Sequence, residues 1–131
     1  MRTTAAFGLL LALLGAQALA QSAGCSCYAP EMREKAARDA LEQAHTAALG
    51  LVLAVEPDGV ARVEVLESFK GPSKGTTLVL APDNGQCPAR RVKAREETLV
   101  LAFQAAASVC ETYDRDHFRV QEFRALRQPP K

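Results

Sequence analysis

The sequence is poor in residues that stabilise a small domain by stacking or that bind nucleic acids. It contains no Trp, two Tyr and five Phe in 131 residues, so aromatic side chains are scarce. Its 16 basic and 15 acidic residues nearly cancel, whereas binding to phosphates requires a basic surface that displaces counterions. We therefore expect no nucleic-acid partner, and we expect the modest apolar core of so short a chain to need additional bracing.

Long apolar runs are also absent, with one exception near the N-terminus. Arg2 precedes an apolar run at residues 5–16, and the small residues Ala18 and Ala20 stand where a signal peptidase reads the chain. The run is shorter than the ~20 apolar residues of a transmembrane helix. Residues 1–20 are therefore predicted to be a signal peptide, the alternative being a buried N-terminal helix. The mature protein is predicted to be secreted, into a periplasm or the medium, with no transmembrane segment.

Residues suited to catalysis are few. His45 and His117 are the two histidines, and the chain has neither a nucleophile-elbow serine nor a glycine-rich phosphate loop. Acidic neighbours at 96–97 and 114–116 are surface acids of the kind that is usually solvated. The sequence thus predicts a protein that is not an enzyme and that has no cofactor and no metal of its own.

Cysteine is rare but is confined to the part that follows the signal peptide. Cys25, Cys27, Cys87 and Cys110 form an even set in a small secreted chain, which favours two disulfides. Cys25 and Cys27 are separated by one residue in a segment that we expect to be extended. Their side chains should therefore point to opposite sides and reach different partners. Free core thiols and a four-cysteine zinc site are the alternatives, the latter disfavoured because the cysteines lack the usual zinc-ligand spacing.

Hydrophobic periodicity divides the rest of the chain into one helix followed by strands. Apolar residues recur at helical spacing over residues 31–44, directly after Pro30, and predict an amphipathic helix whose apolar stripe packs in the core. That stripe comprises Met32, Ala36, Ala37, Ala40, Leu41 and Ala44.

Residues 117–126 fit a helix or an edge strand. Strands are predicted at 49–56, 61–66, 76–81, 97–103 and 108–112, the first two forming a hairpin. The fold class is therefore mainly β, a closed or half-closed barrel with a flanking helix.

The order of these features resembles the netrin-like domain, the family that includes the tissue inhibitors of metalloproteinases. The resemblance covers residues 25–112. The motifs that carry it are a Cys-Ser-Cys opening, a segment at the end of the hairpin and two later cysteines, namely Cys25-Ser26-Cys27, Phe69-Lys70-Gly71-Pro72, Cys87 and Cys110. The resemblance implies a five-stranded OB-type barrel, braced by the disulfides Cys25–Cys87 and Cys27–Cys110.

The resemblance also implies a way of acting. The inhibitors of that family clasp the catalytic zinc of their target with the free amine and the carbonyl of an N-terminal cysteine. The matching residue here is Cys25, flanked by Ser26 and Cys27. Cleavage after Ala20 leaves an extension at 21–24, so that the nitrogen of Cys25 is a peptide amide that cannot bind a metal. A cut directly before Cys25 and lipid attachment to Cys25 are the alternatives.

Three functions follow, in order of preference. The first is a secreted, monomeric, non-catalytic netrin-like module that binds a protein partner through a ridge formed by Cys25, Ser26, Cys27 and Tyr28, the Cys25–Tyr28 ridge. The second is inhibition of an extracellular metalloproteinase through an N-terminal Cys25. The third is binding of a saccharide or another small ligand on the barrel face. The predicted boundaries are a signal peptide at 1–20, an extension at 21–24, the domain at 25–127 and a frayed tail at 128–131.

Overall fold

The computed structural model describes residues 28–85, 87 and 92–127. The predicted signal peptide, the extension at 21–24, three residues of the Cys25–Tyr28 ridge (Cys25, Ser26 and Cys27) and the predicted tail lie outside these residues. The elements run in the order α1 (Pro30–Gln43), β1 (Thr46–Val55), β2 (Ala61–Lys70), β3 (Thr77–Leu80), β4 (Glu97–Ala102), a 3₁₀ turn (Val109–Glu111), β5 (Thr112–Asp114) and α2 (Phe118–Arg127).

The predicted elements form in the predicted order, but some of their ends differ. The first helix and the third and fourth strands agree with prediction to within one residue at each end, whereas β2 continues to Lys70, past its predicted end at residue 66. The fifth strand is displaced. The Ser108 hydroxyl and the Glu111 carboxylate form a capping box that winds Val109–Glu111 into a 3₁₀ turn, so the strand begins only at Thr112.

All five strands form one antiparallel sheet in the order β3-β2-β1-β4-β5. The hairpin between β1 and β2 turns at Gly59, whose φ of 90° is a conformation that favours glycine. In the middle of β1, a Cβ at Gly50 would overlap the Val63 side chain and lie 2.9 Å from the Glu64 carbonyl oxygen. The two central strands can therefore approach each other closely only because position 50 carries no side chain.

Apolar residues pack on both faces of the sheet and form two cores. The helix-side core lies between the sheet and the helices, and it comprises Ala37, Ala40, Ala44, Ala47, Leu49, Leu99, Leu101, Val120 and Phe123. The disulfide-side core lies on the other face and comprises Val52, Ala61, Val63, Leu80, Val100 and Val109. Burial on both faces explains why β4 is an almost continuous apolar run rather than an alternating one.

A single bridge connects the two outer strands. Ala81, after β3, pairs in parallel with Ser108, before β5, through hydrogen bonds of Ala81 with Ala107 and Val109. The prediction of a mainly β protein with five strands and a flanking helix is thus confirmed, and the segment at 117–126, left open between a helix and an edge strand, forms the second helix. Within the described residues the sheet is not closed into a barrel.

The same bridge explains a disulfide that differs from the expected ones. It brings the segment after β3 alongside the segment before β5, and Cys87 and Cys110 bond there with their Cα atoms 5.5 Å apart, a normal separation. Neither Cys25–Cys87 nor Cys27–Cys110 is formed in this structure, because each requires a cysteine that is already bonded.

Both helices are tied to the end of β2. Lys70 Nζ donates hydrogen bonds to the carbonyl oxygens of Leu41 and Glu42, at 2.9 and 2.8 Å, and so satisfies groups that the end of α1 leaves unpaired. Glu67 accepts hydrogen bonds from Arg124 and Arg127 of α2. These hydrogen bonds lower the pKa of Glu67, the bond from Arg124 having the largest effect.

Candidate functional site

One face of α1 borders a groove, the α1 groove, with a cavity of about 360 Å³. It is lined by Tyr28, Met32, Ala36, Ala40, Phe103 and Arg119, with Lys35, Asp39 and Gln43 also bordering it. Met32, Ala36 and Ala40 recur every fourth position and lie in one row along the helix, and Tyr28 stands just before its first residue. Phe103 follows β4, and Arg119 lies in the first turn of α2. The groove is therefore framed by three elements of the fold.

Large apolar side chains around the groove remain in contact with solvent. Tyr28, Met32 and Phe103 have exposed fractions of 38, 50 and 48%. The sequence predicted that Met32 packs in the core, and this is wrong: Met32 lies in the first turn of α1, whereas the stripe becomes buried only at Ala37 and Ala40. Adjoining exposed apolar side chains of this size are typical of an interaction surface.

Arg119 provides the charged group of the α1 groove. Its Cζ atom lies 5.2 Å from the ring centre of Phe118 and 5.7 Å from that of Tyr113, distances typical of cation–π contacts. Within residues 28–85, 87 and 92–127, Arg119 Nε is a buried side-chain nitrogen with no hydrogen-bond partner. A buried donor left unsatisfied costs about 1–3 kcal/mol. Because this nitrogen is enclosed by the protein, an acceptor in the groove could reach only the other nitrogens of the Arg119 guanidinium group.

Of the predicted Cys25–Tyr28 ridge, Tyr28 alone is among the described residues, and it lies in the wall of the α1 groove. Its ring lies 5.5 Å from the ring of Phe118, measured between centres. Its carbonyl oxygen accepts a hydrogen bond of 3.3 Å from Arg33 Nε. Tyr28 is therefore held by both helices.

The cysteines that the structure describes do not form a metal site in their bonded state. A carboxylate oxygen of Asp83 and the sulfur atoms of Cys87 and Cys110 lie within 4.8 Å of one another. The thiolate is the form that binds metals, and both sulfur atoms are used in the disulfide. Asp83 instead organises its own turn, because its Oδ1 atom accepts a hydrogen bond of 2.7 Å from the Gly85 amide.

The remaining candidates from the sequence have structural roles. His117 Nδ1 accepts a hydrogen bond of 3.3 Å from the Arg119 amide, so His117 caps the start of α2. His45 is exposed, and its ring nitrogen lies 3.5 Å from the Thr46 hydroxyl. Among the acidic neighbours, Glu97 forms an ion pair of 2.7 Å with Arg115. These contacts stabilise local structure.

Sequence reasoning missed Phe103 and Arg119. Met32 carried a usable signal, because the row at 32, 36 and 40 places it on the side of the helix where small alanines leave room. Phe103 was assigned to a strand that ends one residue earlier. Arg119 carried no sequence signal, since its environment is made by rings from α2 and β5.

No family model, curated protein or solved structure matches this chain. In the described part, no helix is long and apolar enough to cross a membrane.

Proposed function

We propose that this chain is a secreted, non-catalytic protein-binding module of the netrin-like type. Its contact surface is the Cys25–Tyr28 ridge together with the α1 groove that begins at Tyr28. The protein acts as a monomer after cleavage of the signal peptide at residues 1–20, and it uses neither a metal nor a cofactor of its own.

The observation that carries the proposal is the apolar exposure beside the ridge. Tyr28, Met32 and Phe103 border one groove and together present an aromatic and thioether surface to solvent. Aromatic residues and methionine are enriched in the buried centres of protein–protein interfaces. A partner that covers the ridge would therefore also bury the part of this surface that costs most to leave in water.

The sheet offers secondary support for the OB-type part of the proposal. OB-folds are five-stranded and partly open barrels. A sheet whose outer strands are connected by the single Ala81–Ser108 bridge is compatible with such an architecture.

The alternative, inhibition of an extracellular metalloproteinase, requires more of the N-terminus. It needs Cys25 to carry a free amine and, by resemblance, needs Cys25 and Cys27 to be anchored to Cys87 and Cys110. Because Cys87 and Cys110 are bonded to each other, these anchors are not formed. Saccharide binding, the third function, has less support because the large apolar residues that the described strands expose are aliphatic and not aromatic, namely Leu53, Val55 and Val79.

Site-specific photo-crosslinking in the secreting cells tests the proposal. A photo-reactive phenylalanine analogue placed at Ser26 or at Tyr28 should form an adduct with a secreted protein, which mass spectrometry then identifies. The same analogue at Arg38, an exposed position of α1 that does not border the groove, is the matched control. Absence of a protein adduct at both ridge positions, or equal yields at all three, would contradict the proposal.

The identified partner permits a quantitative test. Tyr28→Ala should weaken binding at least about tenfold, as truncation of an interface aromatic commonly does. Leu53→Ala removes a similarly exposed apolar residue from the sheet and should leave the affinity unchanged.

N-terminal sequencing of the exported protein decides between the two leading functions. A start at Gln21 removes the amine that inhibition needs, and an unmodified start at Cys25 favours inhibition.

A further inference from the structure

The α1 groove combines apolar walls with a cation. Met32 and Phe103 supply exposed apolar surface, and Arg119 lines the groove with a guanidinium group that forms no ion pair among the described residues. A purely apolar occupant would cover the walls but would leave this charge without a counter-ion. The groove therefore favours an occupant that brings an acidic group next to an apolar group.

A second guanidinium lies beside the first. Arg33 Cζ is 5.8 Å from the ring centre of Phe118, whose ring also carries Arg119 at 5.2 Å. Stacking on an aromatic ring holds a guanidinium in a fixed orientation and leaves its edge available for hydrogen bonds. No carboxylate of the part of the chain that the structure describes forms an ion pair with Arg33 or Arg119.

The other charges that border the groove cancel. Lys35 Nζ lies 2.5 Å from Asp39 Oδ2, and this hydrogen bond raises the pKa of Lys35. Gln43 is neutral. Arg119 therefore leaves the lining of the groove with a net positive charge, and Arg33, which contacts the same Phe118 ring but does not itself line the groove, adds to the positive potential nearby. This charge repels a basic occupant and attracts an acidic one.

We propose that the α1 groove binds a segment of the protein partner in which a carboxylate stands next to an aliphatic or aromatic side chain. The carboxylate accepts hydrogen bonds from Arg119 and is attracted by Arg33, while the apolar side chain packs between Met32 and Phe103. The inference rests on the proposed function, and it adds the chemistry of the partner to it.

Short capped peptides test this inference without the native partner. The probe is a peptide in which leucine and glutamate alternate, titrated into the isotope-labelled mature protein and followed by amide chemical shifts. Peptides with glutamine or lysine in place of glutamate are the comparisons. The glutamate peptide should shift the amides of Met32, Phe103 and Arg119 at concentrations at which the other two cause at least tenfold smaller shifts.

Variants locate the contact. Arg119→Gln should weaken binding of the glutamate peptide at least tenfold, and Met32→Glu, at an exposed position that tolerates charge, should do the same. Arg38→Gln makes the same chemical change as Arg119→Gln at an exposed residue outside the groove, and it should leave binding unchanged. Retention of the native shift pattern in each free variant shows that the fold is intact.

The outcomes separate this inference from the proposed function. Equal binding of the glutamate and lysine peptides, shifts outside the groove, or unchanged binding to Arg119→Gln would overturn the inference. A cross-linked partner whose affinity depends on Tyr28 but not on Arg119 would also overturn it while leaving the proposed function standing. Peptide binding in the groove without any cross-linked partner would support the groove chemistry and contradict the proposed function.

Discussion

The two cores of this protein are stabilised by different means. The helix-side core contains Phe123 and is covered by two helices, which Lys70 and Glu67 tie to the end of β2. The disulfide-side core is wholly aliphatic, and in the part of the chain that the structure describes the segments around it form no long helix. They are joined instead by the Ala81–Ser108 bridge and by the disulfide between Cys87 and Cys110.

This difference shows how each face of the sheet is stabilised in a chain without Trp. Where a helix lies on the sheet, apolar burial stabilises the face, and each large side chain contributes about 1.5–3 kcal/mol on burial. Where irregular segments border the sheet, less apolar area is buried per residue, and a covalent link restricts the unfolded chain instead. The tests below act first on the apolar burial, then on the covalent link, and last on the charges that connect α2 to the sheet.

The largest loss of stability is expected from a substitution in the helix-side core. Phe123 is 1% exposed, and its ring lies 5.4 Å from that of Phe69, so Phe123→Ala leaves a cavity that neither helix can fill. We expect the free energy of unfolding to fall by about 3–5 kcal/mol. Val120→Ala, at a buried position of the same helix, should cost less. A loss below about 1 kcal/mol for Phe123→Ala in chemical denaturation would show that α2 contributes little to the fold.

A smaller loss of stability is expected from removing the disulfide beside the disulfide-side core. Cys110→Ser opens a link between residues 23 apart in sequence, and the chain-entropy model predicts a loss of about 3 kcal/mol. Thermal unfolding with and without a reductant measures it. The wild-type midpoint should fall on reduction by about as much as the substitution lowers it, and the variant should not respond to the reductant. A variant that still responds would show that another cysteine pair contributes.

The success of sequence reasoning also differs between the two sides. The α1 helix, the hairpin and β4 follow from periodicity and turn residues, because local patterns fix them. The Cys87–Cys110 bond did not follow, because it depends on the parallel bridge at Ala81, and long-range pairing leaves no local pattern. For the candidate site, Tyr28 was predicted from the cysteine motif beside it. Arg119 was not, since the rings that hold it come from separate elements.

The smallest loss of stability is expected from breaking the ion pairs that connect α2 to the sheet. Glu67→Gln removes the negative charge between Arg124 and Arg127 and should lower the free energy of unfolding by about 1 kcal/mol at neutral pH, as partly exposed ion pairs do. Glu34→Gln breaks an exposed pair with Arg38 on α1 and is the matched control, with a loss below about 0.5 kcal/mol.

The pH dependence separates charge from packing at Glu67. Arg124 and Arg127 lower the pKa of Glu67 in the folded state, so the unfolded chain binds the proton more readily than the folded one. The stabilisation is therefore fully present above the pKa of the unfolded state and is lost as the pH falls through the folded value. Urea denaturation of the wild type and of Glu67→Gln should accordingly give a difference in stability that is constant near pH 7 and shrinks below about pH 4. A difference that persists unchanged in acid would mean that Glu67 stabilises α2 through packing and neutral hydrogen bonds, and that charge does not distinguish the helix side from the disulfide side.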